Sequence, residues 1–75
     1  QKRIDKALEV LQAGEKKFGD VFAVNNGLMF AYSAKGDYKK AISAAEKATA
    51  KVPNENTKKT LEGQIAKLRE GKDVN

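Results

Sequence analysis

Few side chains in this sequence could take part in catalysis, and those that could lack the partners that catalysis needs. The hydroxyl groups of Ser33 and Ser43 are possible nucleophiles, but the 75 residues include no His to activate them and no Cys. A hydroxyl nucleophile needs an adjacent base to react. The closest carboxylate pair at helical spacing, Asp5 and Glu9, lies among other charged residues, where both groups should stay ionised. We therefore expect no catalytic residues and a protein that is not an enzyme.

The sequence also lacks the patterns that hold a metal ion, a phosphate group or a cofactor. Without Cys and His, the usual nitrogen and sulfur ligands of zinc are missing. The acidic residues do not have the spacing of a calcium-binding loop. The glycines occur singly, so no glycine-rich loop could surround a phosphate. We expect no metal site and no cofactor.

The positive charge of the chain raises the possibility of a nucleic-acid or acidic-lipid partner. The formal net charge is +5, from 15 Lys and Arg against 10 Asp and Glu. Nearly all of these cations are Lys, whereas phosphate recognition favours Arg. They are also spread along the chain, with no cluster denser than Lys16-Lys17, Lys39-Lys40 and Lys58-Lys59. A weak electrostatic binder of nucleic acid or acidic lipid is therefore the third hypothesis, and it predicts a steep dependence of binding on salt.

Length and composition indicate one small domain over residues 1–75. A hydrophobic content of 40% suits a folded chain, and the longest apolar run is far shorter than a membrane span of about 20 residues. Because the chain begins at Gln1 without Met, we expect a fragment of a longer protein. The Lys- and Ala-rich composition suggests a bacterial protein, and the compartment stays open between cytoplasm and periplasm.

Apolar residues recur at steps of three, four and seven, which is typical of helices that bury one face. This spacing predicts an all-α fold of four helices, near residues 2–18, 21–34, 38–52 and 55–70. Asp37 and Asn54 are predicted N-caps, whereas Gly36 and Gly71 are predicted to end helices in the left-handed conformation. Pro53 should end the third helix, and the turn Gly19-Asp20 the first. The tail at 72–75 is predicted to fray.

The segment 21–34 could also form a β-hairpin, because Asn26-Gly27 between two apolar runs is a strong hairpin signal. An isolated hairpin is marginally stable in water and has no sheet to join here. We therefore predict a helix. Gly27 costs about 1 kcal/mol inside a helix relative to Ala, and this cost suggests that a neighbouring helix approaches closely at this point.

The sequence repeats its apolar pattern at an offset of 34 residues, which aligns Ile4 with Tyr38, Leu8 with Ile42 and Leu11 with Ala45. Paired helices at this period are typical of tetratricopeptide repeats. Residues 22–55 resemble one complete repeat of that family, with these positions in place: Leu28, Tyr32, Gly36, Tyr38, Ala41, Ala45, Ala48 and Pro53. Asn25, where the family often has an aromatic residue, and Met29, where it usually has a small one, depart from the pattern.

The resemblance implies a stack of antiparallel helices in which 1–20 is the second helix of a preceding repeat. Residues 21–54 would be the full repeat, 55–71 a capping helix and 72–75 a tail. Such arrays bind peptides or proteins in a concave groove lined by the first helix of each repeat. Carried onto this sequence, the groove would be lined by Ala23, Asn26, Phe30, Ser33 and Ala34. No Lys or Arg lies between Val21 and Ala34, so the carboxylate clamp of the chaperone-binding members is not expected.

The leading hypothesis is thus a protein–protein interaction module that binds a peptide or protein partner. The alternative is a structural C-terminal tail that packs on an upstream domain of its own chain or forms a homodimer. It rests on an apolar stripe of Ile4, Leu8 and Leu11, which should be exposed if the preceding helix is missing. Both hypotheses use the same helices, and the sequence does not separate them.

Overall fold

The computed structural model describes residues 2–19 and 21–75, and these form four α-helices and no strand. The helices are α1 (Lys2–Phe18), α2 (Phe22–Lys35), α3 (Tyr38–Thr49) and α4 (Glu55–Arg69). The predicted all-α fold is confirmed, and the segment around Asn26-Gly27 is helical. Both ends of α2 and the C-terminal end of α4 lie one residue from their predicted positions.

The predicted helix caps between α2 and α4 are confirmed. A carboxylate oxygen of Asp37 accepts a hydrogen bond from the main-chain N–H of Lys40, with 3.3 Å between oxygen and nitrogen. The amide oxygen of Asn54 accepts one from the main-chain N–H of Thr57 at 2.9 Å. Gly36 is left-handed, with a φ of 86°, as its position after α2 predicts.

The predicted end of α3 at residue 52 is wrong, because the helix ends at Thr49. The main-chain N–H of Lys51 donates to the carbonyl of Ala48, a tighter turn than that of an α-helix. The ring of Pro53 disfavours helical backbone angles at Val52, so the chain leaves the helix before the proline itself. In the turn between α1 and α2, Gly19 has a positive φ of 75°. Asp20, the other residue predicted to end α1, lies outside the described residues.

The first two helices pack side by side in opposite directions. The ammonium of Lys35, at the end of α2, lies 2.9 Å from a carboxylate oxygen of Asp5, at the start of α1. Halfway along, a Cβ added to Gly27 would lie 2.7 Å from a methyl carbon of Leu11. The predicted close approach at Gly27 is confirmed, and it accounts for a glycine inside the helix.

Small residues on α3 form the centre of the core. Ala41, Ala44, Ala45 and Ala48 are all buried, and α3 packs against both α2 and α4. The last helix contributes Leu61 and Leu68, each 1% exposed. Methyl side chains let the three helices approach closely, so this region has no room for larger residues.

The turn after α4 sends the chain back toward α2. The main-chain N–H of Gly71, which has a φ of 75°, donates to the carbonyl of Leu68, and that of Lys72 donates to the carbonyl of Lys67, both at 3.0 Å. This is the Schellman arrangement that ends many helices. The predicted fraying of residues 72–75 is wrong, because the segment lies on α2 and Val74 packs against the core.

Candidate peptide-binding surface

The five residues predicted to line a groove differ in their exposure to solvent. Ala23 and Ala34 are exposed, Asn26 and Phe30 are half-buried, and the side chain of Ser33 is buried, with 1% exposure. Among these five, Phe30 and Ser33 make hydrogen bonds to another segment of the described chain. We call these two residues and the segment 72–75 the tail site.

Three hydrogen bonds hold the segment 72–75 on α2. The hydroxyl of Ser33 donates to a carboxylate oxygen of Asp73 at 2.6 Å and accepts from the main-chain N–H of Val74 at 2.9 Å. The side-chain amide of Asn75 donates to the main-chain carbonyl of Phe30, also at 2.9 Å. Because Ser33 and Phe30 are about one helical turn apart, the segment runs back along α2 toward its N-terminal end.

The carboxylate of Asp73 is stabilised by these contacts. The hydrogen bond from the Ser33 hydroxyl, followed by those from Asn75, holds the pKa of Asp73 below its ordinary value. Hydrogen bonds to a charged carboxylate favour that form over the protonated acid. The contact between Ser33 and Asp73 is therefore strongest when Asp73 is ionised.

Acidification should weaken the contact between Asp73 and Ser33. Because the pKa of Asp73 is lowered in the folded protein, its contribution is complete above the unfolded value of about 3.9. The contribution is lost as the pH falls through the lower, folded value. Amide resonances of Ser33 and Val74, followed by NMR between pH 6 and 2, should report this weakening. In Ser33→Ala the pKa of Asp73 should be higher, and an unchanged titration midpoint would contradict the assignment.

The predicted exposed stripe on the first helix is wrong at Leu8, which is only 6% exposed. Ile4 and Leu11 are half-buried, because α2 packs against the same side of α1. The largest exposed apolar side chains of the described residues are instead Val10, at 71%, and Phe18, at 63%.

Residues of the predicted groove lining and of the predicted apolar stripe meet in one groove between α1 and α2. Ile4 and Leu11 line it from α1, and Phe30 and Ala34 line it from α2. The groove has a volume of about 290 Å³, and Asn75 also lines it. Groove and tail site are thus continuous, since Phe30 and Asn75 belong to both.

A polar residue that the sequence did not single out as a site residue is buried beneath a second pocket. Asn25 is 0% exposed, and neither its amide oxygen nor its amide nitrogen has a hydrogen-bond partner in the described part of the chain. It adjoins a pocket of about 150 Å³ between α1, α2 and α3, which charged side chains such as Glu15, Lys40 and Lys47 also line. The only sequence signal was the departure of Asn25 from the repeat pattern.

Residues 2–19 and 21–75 include no group of three or more acidic side chains placed to bind a metal ion. Within the same ranges, no helix has the length and apolar character to cross a membrane. The chain was also compared with protein-family models, with curated proteins and with solved structures. None of the three comparisons gives a match.

Proposed function

We propose that this chain is a non-catalytic protein-binding module of the tetratricopeptide type, which binds a peptide or protein segment along α2. The observation that carries the proposal is the position of residues 72–75. They lie on Ser33 and Phe30, two of the residues at which the resemblance implies a ligand. A surface that accommodates one short irregular segment has the shape and the hydrogen-bonding groups to accept another.

The chemistry of this surface suits a peptide. The Ser33 hydroxyl can donate and accept at the same time, so it can pair with a main-chain N–H and with an acidic side chain of one ligand. The half-buried ring of Phe30 offers apolar contact beside its own main-chain carbonyl. Aromatic side chains of this kind often supply much of the binding energy at protein interfaces.

Selection from a random peptide library displayed on phage tests this function. Peptides selected on the 75-residue chain should change the amide resonances of Phe30 and Ser33. Phe30→Ala should weaken their binding about tenfold or more, the effect expected when an anchoring aromatic residue is truncated. The matched control is Phe18→Ala, because Phe18 is also a phenylalanine but lies 63% exposed at the end of α1. Circular dichroism would verify that both variants keep their helices.

Two outcomes would contradict the proposed function. One is a selection that yields no peptide with saturable binding. The other is equal weakening by Phe30→Ala and Phe18→Ala, which would show that the peptides recognise exposed aromatic rings in general. A fall in affinity of several orders of magnitude between low and moderate salt would favour the electrostatic hypothesis instead.

A second candidate function, docking of α1 on an upstream domain or on a second copy of the chain, is favoured by a comparison of α1 with α3. At the 34-residue offset, Ala44 corresponds to Val10 and Ala41 to Ala7. On α3 these positions are 5% and 0% exposed, whereas Val10 is 71% exposed and Ala7 is also exposed. α3 packs against both α2 and α4. The exposed face of α1 at Ala7 and Val10 could likewise pack on a further helix. If the selected peptides instead change mainly the amide resonances of Ala7 and Val10, the result would identify this function.

A further inference from the structure

The segment 72–75 makes contacts that differ from residue to residue, and each contact uses one chemical feature. Asp73 supplies a carboxylate to the hydroxyl of Ser33. Val74 supplies its main-chain N–H to the same hydroxyl, and its side chain packs against the core. Asn75 supplies a side-chain amide that bonds both the carbonyl of Phe30 and the carboxylate of Asp73.

We infer that residues 72–75 are an internal ligand, and that the partner of this surface carries a similar segment: an acidic residue, a β-branched apolar residue and a side-chain amide. This inference rests on the proposed function and specifies its ligand. Within the protein, the segment and such a partner compete for the same groups on Ser33 and Phe30. The surface is therefore autoinhibited until the partner displaces the segment.

The geometry of Ser33 makes binding of the internal segment and binding of the partner mutually exclusive. Its hydroxyl has one hydrogen to donate, and Asp73 accepts it at 2.6 Å. A partner carboxylate can take this position only after Asp73 has left it. Ser33 is 1% exposed while the segment is bound, so a ligand cannot reach its hydroxyl from solvent beside the segment.

Tethering gives the internal segment an advantage over a free peptide. A short tether holds a ligand at an effective concentration on the order of mM. If the site is open for about one tenth of the time, a free peptide binds with an apparent Kd about tenfold higher than its intrinsic value. Weakening the internal segment should restore the intrinsic affinity.

The test compares the 75-residue chain with its variants Asp73→Ala and Asp73→Ala/Val74→Ser. The probe is the peptide acetyl-Gly-Lys-Asp-Val-Asn-amide, and binding is followed by the amide resonances of Phe30 and Ser33. The apparent Kd should be about tenfold lower for the double variant than for the unaltered chain. The single variant changes only the exposed Asp73 and leaves Val74 packed against the core. Its apparent Kd should lie between those of the unaltered chain and the double variant. It therefore tests the competition even if the double variant loses its fold. The control peptide has Ala in place of Asp and should bind at least several-fold more weakly.

Equal affinity of the probe for the unaltered chain and the variants would overturn the internal competition. It would leave the proposed function intact, because the surface would still bind a peptide. Failure of the probe to bind any variant would overturn the inferred ligand class. The proposed function would then be judged by the selected peptides, whose sequences are not taken from residues 72–75.

Discussion

Replacing Leu61 by alanine should lower the free energy of unfolding by about 2–5 kcal/mol, the range measured when a large buried aliphatic side chain is truncated. Leu61 is 1% exposed, and with Leu68 it is one of two fully buried apolar side chains of α4. A folded chain of this size is stable by only about 4–11 kcal/mol. The substitution should therefore remove a large part of the total stability, because the surrounding side chains only partly fill the cavity that it leaves.

Urea denaturation followed by circular dichroism measures this loss, and Glu62→Ala is the matched control. Glu62 is the next residue on α4 and is exposed, so its substitution should change the free energy of unfolding by less than about 0.5 kcal/mol. The pair also tests the helix register, because the 34-residue offset aligns Leu28 with Glu62. If Glu62→Ala costs as much as Leu61→Ala, the observed burial of α4 is wrong.

The helices could be predicted because their signals are local. Steps of three and four between apolar residues specify one buried face, and capping residues such as Asp37 and Asn54 specify the ends through their own hydrogen bonds. The end of α3 comes before its predicted position because Pro53 acts on Val52 as well as on itself. Such an effect shifts a boundary by a few residues without changing the fold.

The tail site could be predicted only in part, because it depends on contacts between residues far apart in the chain. The position of Phe30 and Ser33 on α2 follows from helix periodicity and the repeat resemblance. The docking of Asp73 on Ser33 joins residues 40 positions apart, and a four-residue tail has no periodicity to indicate it. The burial of Leu8 is not predictable from the sequence for a related reason. Periodicity identifies the apolar side of α1, but the packing of α2 decides which part of that side is covered.

Asn25→Leu should raise the free energy of unfolding by about 1–3 kcal/mol, because it removes a buried amide that has no hydrogen-bond partner. Both polar atoms of Asn25 are buried and unpaired within the described residues. Leucine has the same number of side-chain heavy atoms and the same branching, and the adjoining pocket of about 150 Å³ leaves room for its methyl groups. In a domain of this size the midpoint of thermal unfolding should rise by about 4–8 °C for each kcal/mol.

Asn26→Leu separates the removal of the buried amide from the change in helix propensity. Asn26 is the neighbouring residue in the same helix but is half-buried. Its substitution should gain at most about 0.7 kcal/mol from the better helix propensity of leucine. The difference between the two variants, measured by thermal unfolding, then gives the cost of burying the Asn25 amide. A lower midpoint for Asn25→Leu would mean that the amide is paired in solution. The pocket between α1, α2 and α3 would then hold its partner, and this pocket, rather than the tail site, would be the first place to search for a bound ligand.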